Sequence, residues 1–307
     1  MISTIQDLIS PLTEAEFLTH IRERTAAFVR TSEPHRFESL LDWDDLNHLV
    51  QNGVYPIEEL RVHESIPVPT SFYIKRGRFD SSAFSALMDR GADLVLNRLD
   101  KYVSRLCRLC HQLAEQTGEQ VTAEAIVTSE KKDARQRVNT KDMCVLQIAG
   151  SKRWELCGPP IGSPLADISV PPAPQSAPFF DEVLSTGDFL FVPAGCWRRC
   201  ETGTGRSLDV YLVLEPPCGR DVVTWLTNQL IADETFTAPL TRYIDPSTLA
   251  SHEAALKARL IEQVQAWSLA DFLAERATAR SNEVVVRIQG TPDAAKGLRR
   301  EPNQAPG

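Results

Sequence analysis

The chain has 307 residues, 42% hydrophobic and 24% charged, enough to bury one large core and an accessory element. Lys and Arg total 33 against 41 Asp and Glu, a net charge of −8 without the basic surplus that draws a protein onto phosphate backbones, so no direct nucleic-acid partner is expected. There is no apolar run of about eighteen residues, and the N-terminal MISTIQDLISPLTEAEF has neither the basic nor the apolar part of an export signal; a cytoplasmic protein without a membrane segment is expected.

In chain order, Ser10-Pro11-Leu12-Thr13 precedes an amphipathic helix predicted over Glu14–Val29, with Phe17, Ile21 and Phe28 on one face. A second helix is predicted over Phe37–Val50, with Leu40, Leu41, Leu46 and Leu49 inward and Asn52-Gly53 closing it. Short β-rich runs follow at Leu60–His63 and Ser71–Ile74, then helices at Ser81–Asp89 and Arg98–Gln116, the latter ended by Gly118. Within it, Cys107-Arg-Leu-Cys110-His111 matches the haem c attachment string. Leu99, Val103, Leu106, Leu109 and Leu113 recur through it at helical spacing, however, and haem c needs an exported protein, so two buried thiols and a surface imidazole are the reading. The seven cysteines, odd in number, point to reduced thiols rather than a disulfide framework.

From Val121 the period changes to two. Strands are predicted at Ala123–Thr128, Met143–Ile148, Arg153–Cys157, Phe189–Val192 and Ser207–Leu214, separated by Gly158-Pro159-Pro160, the Pro-rich Ser163–Pro178, Thr186-Gly187-Asp188 and Pro193-Ala194-Gly195. Short strands with Gly and Pro corners indicate a barrel or jelly roll, an α+β chain with a mainly β core. Helices return at Asp221–Ile231, His252–Trp267 and Leu269–Arg280, with an apolar face of Leu256, Leu260, Val264 and Trp267 that must pack on the barrel or on a second subunit. The end, from about Gly290, has the composition of a disordered tail.

Gly91–Arg98, Val145-Leu146-Gln147-Ile148-Ala149-Gly150-Ser151-Lys152-Arg153-Trp154 and Ser185–Trp197 together resemble the JmjC proteins of the cupin-like, ribosomal-oxygenase group, a likeness that covers roughly Glu14 to Ala270. It implies a double-stranded β-helix at 91–218, preceded by a helical and β-extension region at 1–90 and followed by a helical segment at 219–282 and a tail at 283–307. The segment at 219–282 resembles a dimerisation element, which implies a homodimer. The family's activity is iron(II)- and 2-oxoglutarate-dependent hydroxylation of protein side chains, with iron held by a His-x-Asp pair and a distal His. Registering on Asp142–Gln147 puts the pair at Arg137-Val138-Asn139, and registering on Pro193–Trp197 puts the distal ligand at Arg198.

Guanidinium groups are always protonated and have no lone pair to give a metal, so no cofactor is expected at the usual site. The six histidines, His20, His35, His48, His63, His111 and His252, lie outside the predicted barrel strands. Lys152 matches the position where some relatives pair a lysine with the distal carboxylate of 2-oxoglutarate; it equally suits an exposed hairpin lysine beside Lys132 and Lys141. Either Arg137, Lys152 and Arg198 converge as an anion site, or Arg137 and Arg198 swing outward toward neighbours such as Asp133, Asp142 or Glu201. A different metal site would draw on Asp142, Asp188, Asp209, Glu201, Cys196 and Cys200.

The leading expectation is a non-catalytic binding or regulatory module for a protein, a peptide or a small acidic metabolite. Two alternatives stay open: a dioxygenase using Fe(II) and 2-oxoglutarate through other ligands, and a metal-free enzyme on the same fold, for which no nucleophile and base pair is visible.

Overall fold

The computed structural model describes residues 2, 4–51, 55–64, 67–129, 136–158, 173–239 and 245–278. They fall into two compact units, one ending at Glu215 and the other beginning at Pro216.

The first unit opens with α1 (Ile5–Ile9) and α2 (Glu14–Glu23), each started by a threonine capping box, Thr4 with Asp7 and Thr13 with Glu16. The expected helix to Val29 stops early. Arg24 turns left-handed at φ 55°, and Ala27–Val29 becomes β1, which pairs with a later strand. The β-branched and aromatic residues there find an open sheet edge, and that pairing outweighs continued helix. The second expected helix is likewise shorter: 34–40 forms turns, and α3 (Trp43–Gln51) starts behind Asp42, whose carboxylate accepts the Asp45 N–H at 2.7 Å. Asn52 and Gly53 lie outside the described residues.

β2 (Leu60–His63) is as predicted, whereas the β-rich run after it is a 3₁₀ turn at Thr70–Phe72 followed by the small hairpin β3 (Ile74–Lys75) and β4 (Arg78–Phe79). α4 (Ser81–Asp89) is capped by Asp80. After β5 (Asp93–Leu96), the long helix divides into a 3₁₀ turn at Leu99–Lys101 and α5 (Ser104–Thr117), which Gly118 closes at φ 75°. Cys110 is buried on α5 and His111 pairs with Glu115, so this string is helix packing.

The barrel strands are β6 (Gln120–Thr128), β7 (Arg137–Val138), β8 (Asp142–Ala149), β9 (Ser151–Cys157), β10 (Phe180–Ser185), β11 (Phe189–Val192), β12 (Trp197–Thr202) and β13 (Ser207–Glu215). They form two antiparallel sheets, a large one ordered β1-β11-β8-β13-β6-β5-β2 and a small one ordered β10-β9-β12-β7. β8 is central in the large sheet and buried on both faces, which is why it reads as an unbroken apolar run.

Its outer face packs on the N-terminal helices. Phe17 of α2 meets Phe189 and Phe191 edge-on, with ring centroids 5.8 and 5.5 Å apart, and Leu106, Leu109 and Leu113 of α5 join the same core as Cys144, Leu146 and Leu212. The inner face meets the small sheet through Met143, Val145, Leu190, Val192, Tyr211 and Val213 on one side and Trp154, Leu156 and Leu184 on the other. This second core fills the barrel lumen.

The second unit comprises α6 (Gly219–Leu230), α7 (Glu234–Thr237), α8 (Pro246–Ala266) and α9 (269–278). Trp225 packs edge-on against Trp267 and Phe272, and Arg259 binds Asp233 at 2.7 Å. Leu260 and Val264, expected inward, are exposed in the single chain, as are Leu249 and Ile261. Among the described residues no helix is long and apolar enough to cross a membrane.

Candidate functional site: the barrel lumen and its mouth

Alternation along β9 and β12 sends Lys152, Trp154 and Leu156, together with Arg198, Cys200 and Thr202, to the lumen side of the small sheet. Cross-strand register arranges them in rungs. The rung at the mouth runs Phe180, Leu156, Arg198, Arg137 across β10, β9, β12 and β7; the deepest runs Leu184, Lys152, Thr202.

At the deep end Lys152 is only 3% exposed. Its ammonium binds the Asp209 carboxylate and donates to Thr128 Oγ1 at 3.1 Å. The other Asp209 oxygen accepts from Ser207 Oγ at 3.1 Å, and Ser207 Oγ accepts from Gln147 Nε2 at 2.9 Å. Burial works against the lysine's charge, but Asp209 more than restores it and holds the ammonium above its ordinary pKa.

In the middle sits Trp154, fully buried and edge-on to Tyr211 at 6.1 Å. The Arg198 guanidinium lies 5.5 Å from the Trp154 ring centroid, a cation–π contact, with Nη1 3.9 Å from Cys200 Sγ and the Tyr211 phenol as a further hydrogen-bond partner. Its Nε is buried with no hydrogen-bond partner. Burial pushes both the Cys200 thiol and the Tyr211 phenol up, so neither supplies a counter-charge near neutral pH. Among the described residues, no Asp or Glu forms an ion pair with Arg198 or with Arg137, which is exposed at the rim.

The rim is clamped from three elements. The Asn139 amide donates to the Lys141 and Val192 carbonyls, and its backbone exchanges hydrogen bonds with Gly195 and Cys196. Asp142 accepts the Ala194 N–H at 2.5 Å, while Arg24 donates to the Ala194 carbonyl at 2.8 Å. Beside this turn opens a cavity of about 600 Å³, lined chiefly by apolar groups of Ala26, Ala177, Phe179, Phe180 and Cys196, with Arg24 at its edge.

Several sequence expectations change here. Lys152 is not an exposed hairpin residue. The three cations do not share one rung: the Lys152 backbone lies four residues, about 13 Å, along β9 from Leu156, the partner of Arg198, although the Arg198 and Lys152 charges both act on Cys200 and Tyr211. Arg198 points inward rather than toward Glu201; Arg199 takes Glu201 instead, at 2.5 Å. Lys132 and Asp133 lie outside the described residues. His63 does belong to the large sheet, closing the edge strand β2 opposite Asp93.

The residues proposed for a different metal site each have another task. Asp188 accepts the Ser185 and Thr31 N–H groups in the Gly187 turn, Asp209 holds Lys152, Asp142 holds the rim turn, and Cys196 and Cys200 are packed in the lumen. Among the described residues no three His, Cys, Asp or Glu side chains gather to hold a metal. Tyr211 and the Trp154 stack were not singled out from sequence, and Asp209 was named only for a different metal site, not as the partner of Lys152. The alternation of Ser207–Leu214 carried the signal for Asp209, a charged residue at a position whose period-two neighbours face the lumen.

Two antiparallel sheets closed on a packed lumen define a double-stranded β-helix of the cupin type. Residues 98–222 match the JmjC domain, and the chain is similar to proteins of the ribosomal-oxygenase group. It is 24% identical over 219 residues to rat ribosomal oxygenase 2, covering 69% of this chain and 47% of that protein. It is 28% identical over 209 residues to the Drosophila melanogaster bifunctional lysine-specific demethylase and histidyl-hydroxylase NO66, covering 64% of this chain and 31% of that one. The chain thus spans about half or less of these relatives. In fold it is similar to the Escherichia coli ribosomal oxygenase YcfD in complex with cobalt and 2-oxoglutarate, with a TM-score of 0.51 at 13% identity over 90% of this chain and 71% of that one.

Proposed function

We propose that this is a JmjC-fold binding module that performs no iron chemistry at the family's usual site, and that its barrel mouth receives an acidic group from a protein, a peptide or a small metabolite. The observation that carries the reading is the mouth rung: Arg137 and Arg198 are direct cross-strand partners. These are the positions that the family resemblance gives to two histidine ligands, with Asn139 in place of the carboxylate. Two guanidiniums repel a divalent cation, and the Asn139 amide is engaged with backbone carbonyls. The same donor set suits a carboxylate, which guanidinium binds through charge-assisted hydrogen bonds.

The comparisons favour a second reading, a dioxygenase with other ligands, since the relatives' names describe oxygenases and the E. coli protein was solved with cobalt and 2-oxoglutarate. Metal analysis of protein purified without chelator, together with turnover of 2-oxoglutarate to succinate, separates the two. We expect substoichiometric iron and no iron-dependent succinate; stoichiometric iron with turnover overturns the first reading. Small carboxylates are expected to raise the Tm without metal, an effect that Arg198→Ala removes.

The free state of all seven thiols supports a reducing, cytoplasmic location. Exposed Leu249, Leu260, Ile261 and Val264 on α8 support the homodimer that the resemblance implies; sedimentation showing only monomer at every concentration would refute it.

A further inference from the structure

We infer that the ligand of the mouth is a monoanion with an apolar body, its carboxylate on Arg198 with Arg137 at the rim, and its aliphatic or aromatic part in the cavity beside Phe179 and Phe180. This rests on the reading that the mouth takes an acidic group, and adds which acids it selects.

Three observations carry it. The first is charge. Arg198 is the lumen cation without an acidic partner among the described residues, and its Nε is buried and unpaired, whereas Lys152 already has Asp209. An unpaired donor in a buried setting gains most from an incoming acceptor.

The second is shape. Phe180 and Arg198 stand on one rung with Leu156 between them, two inter-strand spacings or about 10 Å apart, and Cys196, which lines the cavity, lies two residues before Arg198. The cavity and the backbone of Arg198 therefore belong to one end of the barrel, with the guanidinium turned inward over Trp154. The cavity walls are mostly apolar: Phe179, Phe180, Ala26 and Ala177 carry no charge, burial pushes the Cys196 thiol up to about 11, and the one cation of the lining, Arg24 at the edge, donates to the Ala194 carbonyl at 2.8 Å. Phe179 is 56% exposed, an apolar surface that an apolar ligand body would cover.

The third is exclusion. A dicarboxylate reaching from Arg198 toward the deep lumen would meet Trp154 and Tyr211, then a lysine engaged with Asp209. Its second charge would be buried without a cation of its own, a cost that an apolar body does not incur.

The test is calorimetric titration of the full chain, without metal, with phenylbutyrate and octanoate against acetate, glutarate and 2-oxoglutarate. The expected result is saturable binding of the first two, roughly tenfold or more tighter than the other three. Arg198→Ala should weaken phenylbutyrate roughly tenfold or more, with Arg198→Lys recovering part of the loss. Phe179→Ala, at an exposed position that leaves the fold intact, should weaken phenylbutyrate and leave acetate unchanged. Circular dichroism and the ligand-free Tm of each variant establish that it is folded.

If glutarate or 2-oxoglutarate binds as tightly as phenylbutyrate through Arg198, or if Phe179→Ala has no effect, the selection for an apolar body is wrong and the acidic-ligand reading stands. If no carboxylate binds, or if binding ignores Arg198, that reading falls and takes this inference with it.

Discussion

Removing the Asp209 carboxylate should be among the most damaging single changes in the barrel. Lys152 is 3% and Asp209 0% exposed, so Asp209→Ala leaves a buried ammonium with Thr128 Oγ1 as its remaining partner. Breaking a buried pair from one side costs roughly 3–5 kcal/mol, because the surviving charge stays desolvated and uncompensated. Domains of ordinary stability have about 5–15 kcal/mol in total, so the variant should lose roughly a fifth or more of it. The double variant Lys152→Met with Asp209→Leu removes both charges and fills the space with apolar volume, so it should lie within about 1 kcal/mol of the unmodified chain or above it. Urea denaturation followed by tryptophan fluorescence measures all of these, and the double-variant cycle gives the coupling. A loss below about 1 kcal/mol for Asp209→Ala, the value of an exposed ion pair, together with additive single effects, would refute the claim that the deep lumen is a closed, self-satisfied pair.

Other expectations follow from single positions. Gly150 has φ +72°, and a Cβ there would lie 2.5 Å from the Arg206 carbonyl oxygen, while Gly77 has φ +71° with nothing within 4 Å. Gly77→Ala should therefore cost about 1–2 kcal/mol from backbone strain alone, and Gly150→Ala clearly more; equal losses in urea titrations would contradict the clash. Glu119 is raised from 4.5 to about 7 by burial and by the nearby Asp142, so the folded chain holds a proton that the unfolded chain releases. Its stabilising contribution is present below pH 4.5 and is lost as pH rises through 7. Solvent screening at this half-buried site leaves about 1 kcal/mol, and Glu119→Gln should flatten Tm against pH over that window. Trp154→Ala empties the centre of the lumen and should cost about 3–5 kcal/mol by urea titration; a loss under 1 kcal/mol would show that the lumen collapses freely.

The barrel was legible in sequence wherever one period dominated. β8, β9, β11 and β13 were found to within a residue or two because their apolar runs are bounded by Gly and Pro corners. β10 and β12 were not, since Phe180–Ser185 and Trp197–Thr202 carry the charged residues Asp181, Glu182, Arg199 and Glu201 and lack an unbroken apolar run. β1 was absorbed into a helix because Phe17, Ile21 and Phe28 fit helical spacing, while the strand depends on an edge of β11 that is distant in sequence. At the site, the family resemblance put Arg137 and Arg198 at ligand positions and left open whether they converge or swing outward; the strand register makes them cross-strand partners. Sequence pattern could not identify Asp209 as the partner of Lys152, because that contact joins residues 57 apart across the lumen.

The packing that holds this barrel lies largely away from its mouth. The outer face of the large sheet is held by α2 and α5 through Phe17, Leu106, Leu109 and Leu113, and no residue of that core comes from the mouth rung. The lumen has its own core, with Trp154 at its centre and a lysine–aspartate pair at its base, so the two sheets meet through side chains of the chain itself. Of the mouth rung, Leu156 and Phe180 pack in the lumen core, whereas Arg137 is exposed and the Arg198 Nε is buried and unpaired, a cost to stability. A group that lowers stability is retained by a functional requirement more readily than by a structural one. If the mouth takes an acidic group as proposed, Arg198→Ala should abolish that binding, and its stability change should reflect relief of the unpaired Nε set against loss of the Trp154 cation–π contact and the Cys200 and Tyr211 hydrogen bonds.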